Sequence, residues 1–353
     1  MKKILLPILA LIFLSGCLIQ FKTSSSGSGQ GSGDGGVFTS TDRGETWQQK
    51  VFVSQEAQKV TTIGNTNVGF FYFHPIDPDL VYFSSIENGL WQTKNLGEAW
   101  SATALRSGYV TGFDIDPKNP DTMYAGFQNT VQKSVDAGVT WETIYTNQPG
   151  HTINQVRVDP FDSRDIFAAT SGGVLLKSED QGVTWRIIQQ FSGKDLKRMQ
   201  ILKNDSRIMF LVTQNGILRS TDGGTSWNEN MSQALAKINA LPVNDFVYTE
   251  RNPSTMYVAS NLGLVRSTDG GTSWQVVPTV IPPSTVPIQA VAINSFDEKE
   301  IYFTAGSTFY KSQDEGATWQ TLKNVPSGRL FKVLAAHPKK PGTLLLGTQL
   351  VKK

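Results

Sequence analysis

The sequence predicts an all-β fold: a single seven-bladed β-propeller of four-stranded antiparallel blades, its seventh blade closed by two C-terminal and two N-terminal strands. Three observations predict it. An octapeptide ending in Trp recurs seven times at nearly even spacing. Alternating apolar stretches bounded by Pro, Asp and Gly lie between the copies. The incomplete units at the two chain ends add up to one repeat.

In chain order, residues 1–16 read as a secretory signal. Lys2 and Lys3 give a basic start, and Ile4 to Leu14 run almost wholly apolar. That run is too short to span a bilayer comfortably. It ends in Leu14-Ser15-Gly16-Cys17, which resembles the lipobox of bacterial lipoproteins. The resemblance implies cleavage before Cys17 and lipidation of Cys17, a durable anchor at about 0.8 kcal/mol per buried methylene. Cys17 is the sole cysteine, so it has no internal disulfide partner in an exported protein. Leu18 in place of Asp after the cysteine favours the outer membrane. Residues 17–35 are then the lipidated Cys17 and a Ser/Gly-rich tether, a flexible coil reaching roughly 20 Å on average.

Residues 36–353 carry the repeat. Its first copy is Ser40-Thr41-Asp42-Arg43-Gly44-Glu45-Thr46-Trp47, and further copies end at Trp141, Trp185, Trp227, Trp274 and Trp319 with Asp136, Asp180, Asp222, Asp269 and Asp314 at the third position. A degenerate copy, Thr93 to Trp100, has Asn95 for Asp. Seven of the 8 tryptophans occupy the last position of a copy, which rules out coincidence. The physics of a tight turn between antiparallel strands explains the choices. Asp can accept backbone N–H bonds across the turn, Gly tolerates a positive φ, the hydroxyls tie the strand ends, and Trp anchors the turn on the sheet. These residues are expected to be structural.

Before each copy stand two apolar-alternating segments separated by a Pro/Asp turn, as in Phe113-Asp114-Ile115-Asp116-Pro117 before Met123–Gly126. Each unit therefore reads as four strands, a propeller blade. The box tryptophans are 53, 41, 44, 42, 47 and 45 residues apart. After Trp319 the remaining 34 residues hold two strands and no box; residues 36–47 hold a box and no preceding pair. Together the ends make one repeat, so the ring closes with seven blades and leaves no open sheet edge.

The octapeptide S-x-D-x-G-x-T-W resembles the bacterial neuraminidase repeat, or Asp box. With the Asp-Pro turns, residues 36–353 resemble the Asp-box propellers of the sortilin/VPS10-like superfamily, which includes sortilin ectodomains, xyloglucan-cleaving hydrolases and photosystem II assembly factors. The resemblance implies the fold strongly and the activity weakly, because function lies in sites grafted onto the scaffold. Sialidases carry the same box on six blades, and the Arg-Ile-Pro element that accompanies them is absent from this sequence. Xyloglucan hydrolases place paired acids between two propellers, and this sequence predicts one.

Among candidate chemistries, no catalytic residue, metal set or cofactor motif emerges. Asp114, Asp116, Asp159 and Asp245 lie at or near inner-strand ends and read as turn formers beside Pro or Asn. His74 and His337 precede Pro at equivalent strand ends, and His151 lies on a loop. Without the signal the chain has 30 bases against 30 acids, which excludes a strongly basic nucleic-acid binder. One local excess stands out. Loops leading into the inner strands hold Lys59, Arg106, Lys194, Lys197, Arg198, Lys237, Lys323 and Arg329 against Glu56 and Asp195. Tyr109 and His151 accompany them. The expected binding rim is therefore Arg106, Tyr109, His151, Lys194, Lys197, Arg198, Lys237 and Arg329, a surface that attracts anions. Loops Val280–Pro287 and Met231–Val243 would shape it. The expectation is an exported, monomeric lipoprotein facing the periplasm or exterior, tethered to the membrane by its lipid. Its propeller would bind a protein or peptide or serve as an assembly factor, without catalysis or cofactor; the alternative is a glycoside hydrolase-like or glycan-binding propeller.

Overall fold

The computed structural model describes residues 33–57 and 59–350; the signal, Cys17 and most of the tether lie outside the described residues. Seven antiparallel sheets follow one another in sequence, each beginning with an inner strand and ending at the periphery. The third blade is representative: Ile153–Val158, Ile166–Thr170, Val174–Ser178 and Arg186–Gln190, paired in that order. The seventh is built from both chain ends, in the order Leu330–Ala336, Leu344–Gln349, Val37–Ser40, Gln48–Gln49. Val37 pairs with Gly347 and Ser40 with Leu344, so the N-terminal strand closes the ring as the two half-repeats require.

The core lies between blades. Seven clusters of buried side chains each join two consecutive blades, the last uniting the seventh blade with the first. Between blades three and four, for example, Phe167, Ala169 and Leu175 pack on Met199, Met209 and Leu211. Strands pair within a blade through hydrogen bonds, but blades adhere through apolar burial, about 1.5–3 kcal/mol for each large side chain fully buried. An open ring would lose one of the seven interfaces.

The boxes are the turns between the third and fourth strands. In the third blade Ser178 Oγ donates to Asp180 (2.7 Å) and accepts from Gly182 N (2.8 Å), while Asp180 accepts from Thr184 N (2.8 Å) and Thr184 Oγ1 (2.5 Å). Gly182 sits at φ 92° and Gln181 before it at 61°, so the turn uses two consecutive left-handed residues. The Trp185 indole N–H closes it on the Gly182 carbonyl at 3.1 Å. Five box carboxylates, those of Asp136, Asp180, Asp222, Asp269 and Asp314, are thereby held down at about 2 by the hydroxyl and N–H donors. Asn95 keeps only two of these bonds, from Thr93 Oγ1 and Ala99 N, because residue 99 lacks a hydroxyl.

Four features differ from the expectation. Residues 33–35, placed in the tether, dock on the propeller: Gln49 Nε2 donates to the carbonyls of Gly33 (2.7 Å) and Gly35 (2.8 Å). The long first spacing holds an extra hairpin, Phe52–Glu56 with Lys59–Thr62. The segment read as a loop from Met231 contains a helix, Asn230–Lys237, whose Met231 and Leu235 lie one turn apart and bury against blades four and five. In blade four the outermost strand shrinks to a single bridge, Arg219 with Asn228.

Candidate functional site

The inner strands of all seven blades line a central channel. Each has a register irregularity after its first residue, or in blade seven after its second. A bulge adds a residue and re-aims its side chain. The bulge positions are Gly69, Thr111, Asn154, Lys197, Asn244, Gln289 and Lys332. Several fasten one blade to the next: Asn154 Nδ2 donates to the Leu196 carbonyl (3.1 Å), Asn244 Nδ2 to the Ile288 carbonyl (2.9 Å), and Thr111 Oγ1 to the Ile153 carbonyl.

Two carboxylates do similar work further along the strands. Asp114 accepts from Val158 N of the next blade (2.8 Å), from Tyr72 Oη of the preceding blade (2.6 Å) and from Ile115 N (3.1 Å). Burial raises its pKa above the usual carboxylate value, against the pull of Arg157 and these donors. Asp245 accepts from Val291 N of the next blade (3.0 Å), Phe246 N (2.8 Å) and Arg198 Nη2 (2.7 Å). Both were expected to be turn formers; instead they bridge inner strands. Asp116 and Asp159 do cap the turns that follow, accepting from Lys118 N and Phe161 N at 2.8 Å. His337 occupies the equivalent place, its Nδ1 accepting from Lys339 N (3.1 Å) and Lys340 N (2.9 Å). A ring nitrogen can accept only when unprotonated, and burial lowers the pKa of His74 and His337 accordingly.

The channel has two chemically distinct ends. Where the inner strands finish, a cavity of about 810 Å³ is lined by all seven blades, with an apolar wall that includes Phe71, Phe73, Ile201, Tyr248 and Leu334, and charged groups of both signs such as Arg157, Lys203, Glu250 and Glu298. Where they begin, charge gathers. Lys197 and Arg198 stand on blade four, Arg198 pairs with Asp245 of blade five, and Lys332 of blade seven donates to Gln289 Oε1 of blade six (2.7 Å). Burial, with the like charges of Lys197 and Arg198, pushes Lys332 below the usual lysine range against the pull of Asp245. Tyr109 lies over Gly69 on the same rim. Burial raises its hydroxyl pKa, and the Arg198 charge opposes that rise.

The expected rim is thus only partly assembled. Tyr109, Lys197 and Arg198 converge on the mouth. Arg106 and His151 are exposed on the connecting loops, Lys237 is exposed at the end of the short helix, and Lys194 pairs with Glu229 at 3.1 Å. Arg329 is the correction: it is 6% exposed and bonded to Asp34 (2.8 Å) and Asn65 (3.0 Å), where it clamps the N-terminal segment to the ring. The sequence census of eight bases against two acids fails for the same reason. Folding brings Asp34, Glu229 and Asp245 to those bases from other segments. Lys332 was missed because it reads as a strand residue, whereas Lys197 and Arg198, which also lie in an inner strand, read as loop residues. Aligning the bulge positions of the seven repeats would have found it beside Lys197. Among the described residues no group of three or more His, Cys, Asp or Glu could hold a metal ion.

The sequence profile of the sortilin–Vps10 family (sortilin, neurotensin receptor 3) matches residues 129–238 and 263–352, together more than half of the chain. The chain belongs to the sortilin–Vps10 family. The BNR/Asp-box repeat profile also matches, at residues 38–49. A xyloglucanase of Paenibacillus sp is 25% identical over 218 residues, covering 48% of this chain and 21% of that protein. The chain thus spans about a fifth of the length of that curated relative. Among solved structures, a GH74 xyloglucanase from Xanthomonas campestris superposes with TM-score 0.60 at 16% identity, over 84% of this chain and 55% of the other. A structure of YCF48 bound to D1 peptide gives TM-score 0.61 at 14% identity, over 82% and 94%. At such identities these two structures establish the shared sortilin/YCF48/GH74-type propeller fold and nothing finer.

Proposed function

We propose that this family member is an exported lipoprotein, anchored through Cys17, whose propeller is a non-catalytic scaffold that binds a protein or peptide at the channel mouth. One observation carries the reading. The channel carboxylates Asp114 and Asp245 are engaged in hydrogen bonds between blades, Glu250 and Glu298 at the far end accept from Lys203 Nζ and Arg251 N, and cations at the mouth retain unused donors. A general acid or nucleophile must reach its substrate; a carboxylate committed to neighbouring backbone N–H groups holds the ring instead. The peptide complex of YCF48 is a precedent for ligand binding on this type of propeller. A second reading, glycan binding or hydrolysis, has its own support, since a xyloglucanase matches nearly half of the chain.

The test places a photo-crosslinking residue at Arg106 near the mouth, or at Phe161 at the opposite end, in the lipidated protein in its own cells. Mouth-specific adducts with a defined protein are the expected result. Polysaccharide cleavage by the purified protein, abolished by Asp114→Asn without loss of folding, would overturn the scaffold reading. An unmodified Cys17 in the mass spectrum would remove the anchor.

A further inference from the structure

The mouth where the inner strands begin holds an arc of polar side chains from four consecutive blades. Arg198 of blade four pairs with Asp245 of blade five at 2.7 Å. Asp245 accepts from the backbone of Val291 in blade six, and Gln289 of the same strand accepts from Lys332 of blade seven. Lys197 is exposed beside Arg198 and has no ion-pair partner among the described residues. The arc contains three cations and one carboxylate. All of that carboxylate's bonds are internal, which leaves Lys197 and Lys332 without an ion-pair partner among the described residues, Lys332 half-buried and Lys197 exposed. Like charges held together with part of their hydration removed are costly unless an anion joins them. Free donors remain on the Lys197 ammonium, on the Arg198 guanidinium beyond its one bond to Asp245, and on the Lys332 ammonium beyond its one bond to Gln289.

We infer that Lys197, Arg198 and Lys332 form a subsite for a compact dianion, a phosphate- or sulfate-type group, at the channel mouth. The inference deepens the binding reading above and rests on the same mouth. A dianion matches the uncompensated charge, and its tetrahedral oxygens can accept from several donors at once. A single carboxylate leaves one charge unmatched.

Calorimetry on the full-length protein with inorganic phosphate, sulfate and acetate tests the inference. Phosphate and sulfate are expected to bind at least tenfold tighter than acetate. Lys332→Met or Lys197→Gln should each weaken phosphate binding by about tenfold or more, the value of one charge-assisted hydrogen bond. Lys299→Gln, on an exposed turn at the opposite end of the channel, should leave it unchanged. Glucose 6-phosphate and phosphatidic acid vesicles, compared with free phosphate, distinguish a sugar from a lipid as the source of the group. Absence of saturable phosphate binding, acetate binding as tight as phosphate, or an unaffected Lys332→Met variant would each overturn the subsite. An acid-rich peptide that binds where phosphate does not would overturn the subsite and leave the peptide-binding scaffold standing. Phosphate binding with no mouth-specific protein adducts would do the reverse.

Discussion

Replacing Asp114 with Ala tests whether the channel carboxylates are structural. The substitution removes the acceptor for Val158 N (2.8 Å) and Tyr72 Oη (2.6 Å), and no other side chain accepts from either. Ile115 N keeps an acceptor, the Tyr72 oxygen at 3.2 Å. Two donors are therefore orphaned, at about 1–3 kcal/mol each. Loss of the buried charge works in the other direction, because burial already raises the Asp114 pKa and disfavours its ionised form. The balance is a loss of roughly 2–4 kcal/mol. At about 2.1 cal/mol/K of unfolding entropy per residue, a domain of this size loses about 3–6 °C in Tm. Thermal unfolding followed by circular dichroism measures the change, and Tyr72→Phe in a double-mutant cycle isolates the Tyr72 share. Asp245→Ala, which orphans Val291 N and leaves Arg198 without its carboxylate, should behave alike. A shift below about 1 °C for Asp114→Ala would refute the reasoning, because the carboxylate would then not be holding adjacent strands together.

Further outcomes follow from the same physics. Five box carboxylates titrate near 2 in the folded protein against 3.8 in the unfolded chain, so their support is complete above about pH 4 and lost as pH falls toward 2. Denaturant midpoints measured across that interval should fall with pH, and Asp180→Asn should flatten the dependence. Asp114, whose pKa is raised, acts oppositely: its ionisation weakens the fold as pH rises from 3.8 through its folded value. Gly112→Ala would set a Cβ 2.5 Å from Gln155 Cα and 2.7 Å from Val156 N, backbone that cannot yield locally. Its melting point should drop by more than about 5 °C, or the protein should fail to accumulate. Arg329→Met should release Asp34 and the segment around it, so that protease cleavage near residues 33–36 accelerates while the far blades retain their protection from hydrogen exchange.

Much of this architecture can be read along the chain because the repeat is local chemistry. A box needs a hydroxyl, a carboxylate and a glycine within five residues, and these meet wherever the strands go. Blade count and ring closure follow from spacing and from the two complementary ends, which pair as Val37 with Gly347. The inserted hairpin and the short helix were less legible. Phe52–Glu56 and Lys59–Thr62 contain too few alternating apolar residues to announce strands, and Asn230–Lys237 spans barely two turns. Of the rim, Lys197 and Arg198 were counted because they read as loop residues and Lys332 was not because it reads as a strand residue, yet all three lie near the starts of inner strands.

What the sequence determined by itself is the scaffold: seven box turns, seven blades and a seam shared by both ends, all set by contacts between residues close in the chain or repeated at a fixed interval. The tertiary structure decided the charge of the mouth. Arg329 reads as an exposed base until Asp34, 295 residues away in sequence, is found against it at 2.8 Å. Arg198 reads as free until Asp245 of the next blade is placed beside it. Periodicity carries no information on such pairings, because electrostatic compensation depends on which blades become neighbours and on how far each side chain reaches across the channel.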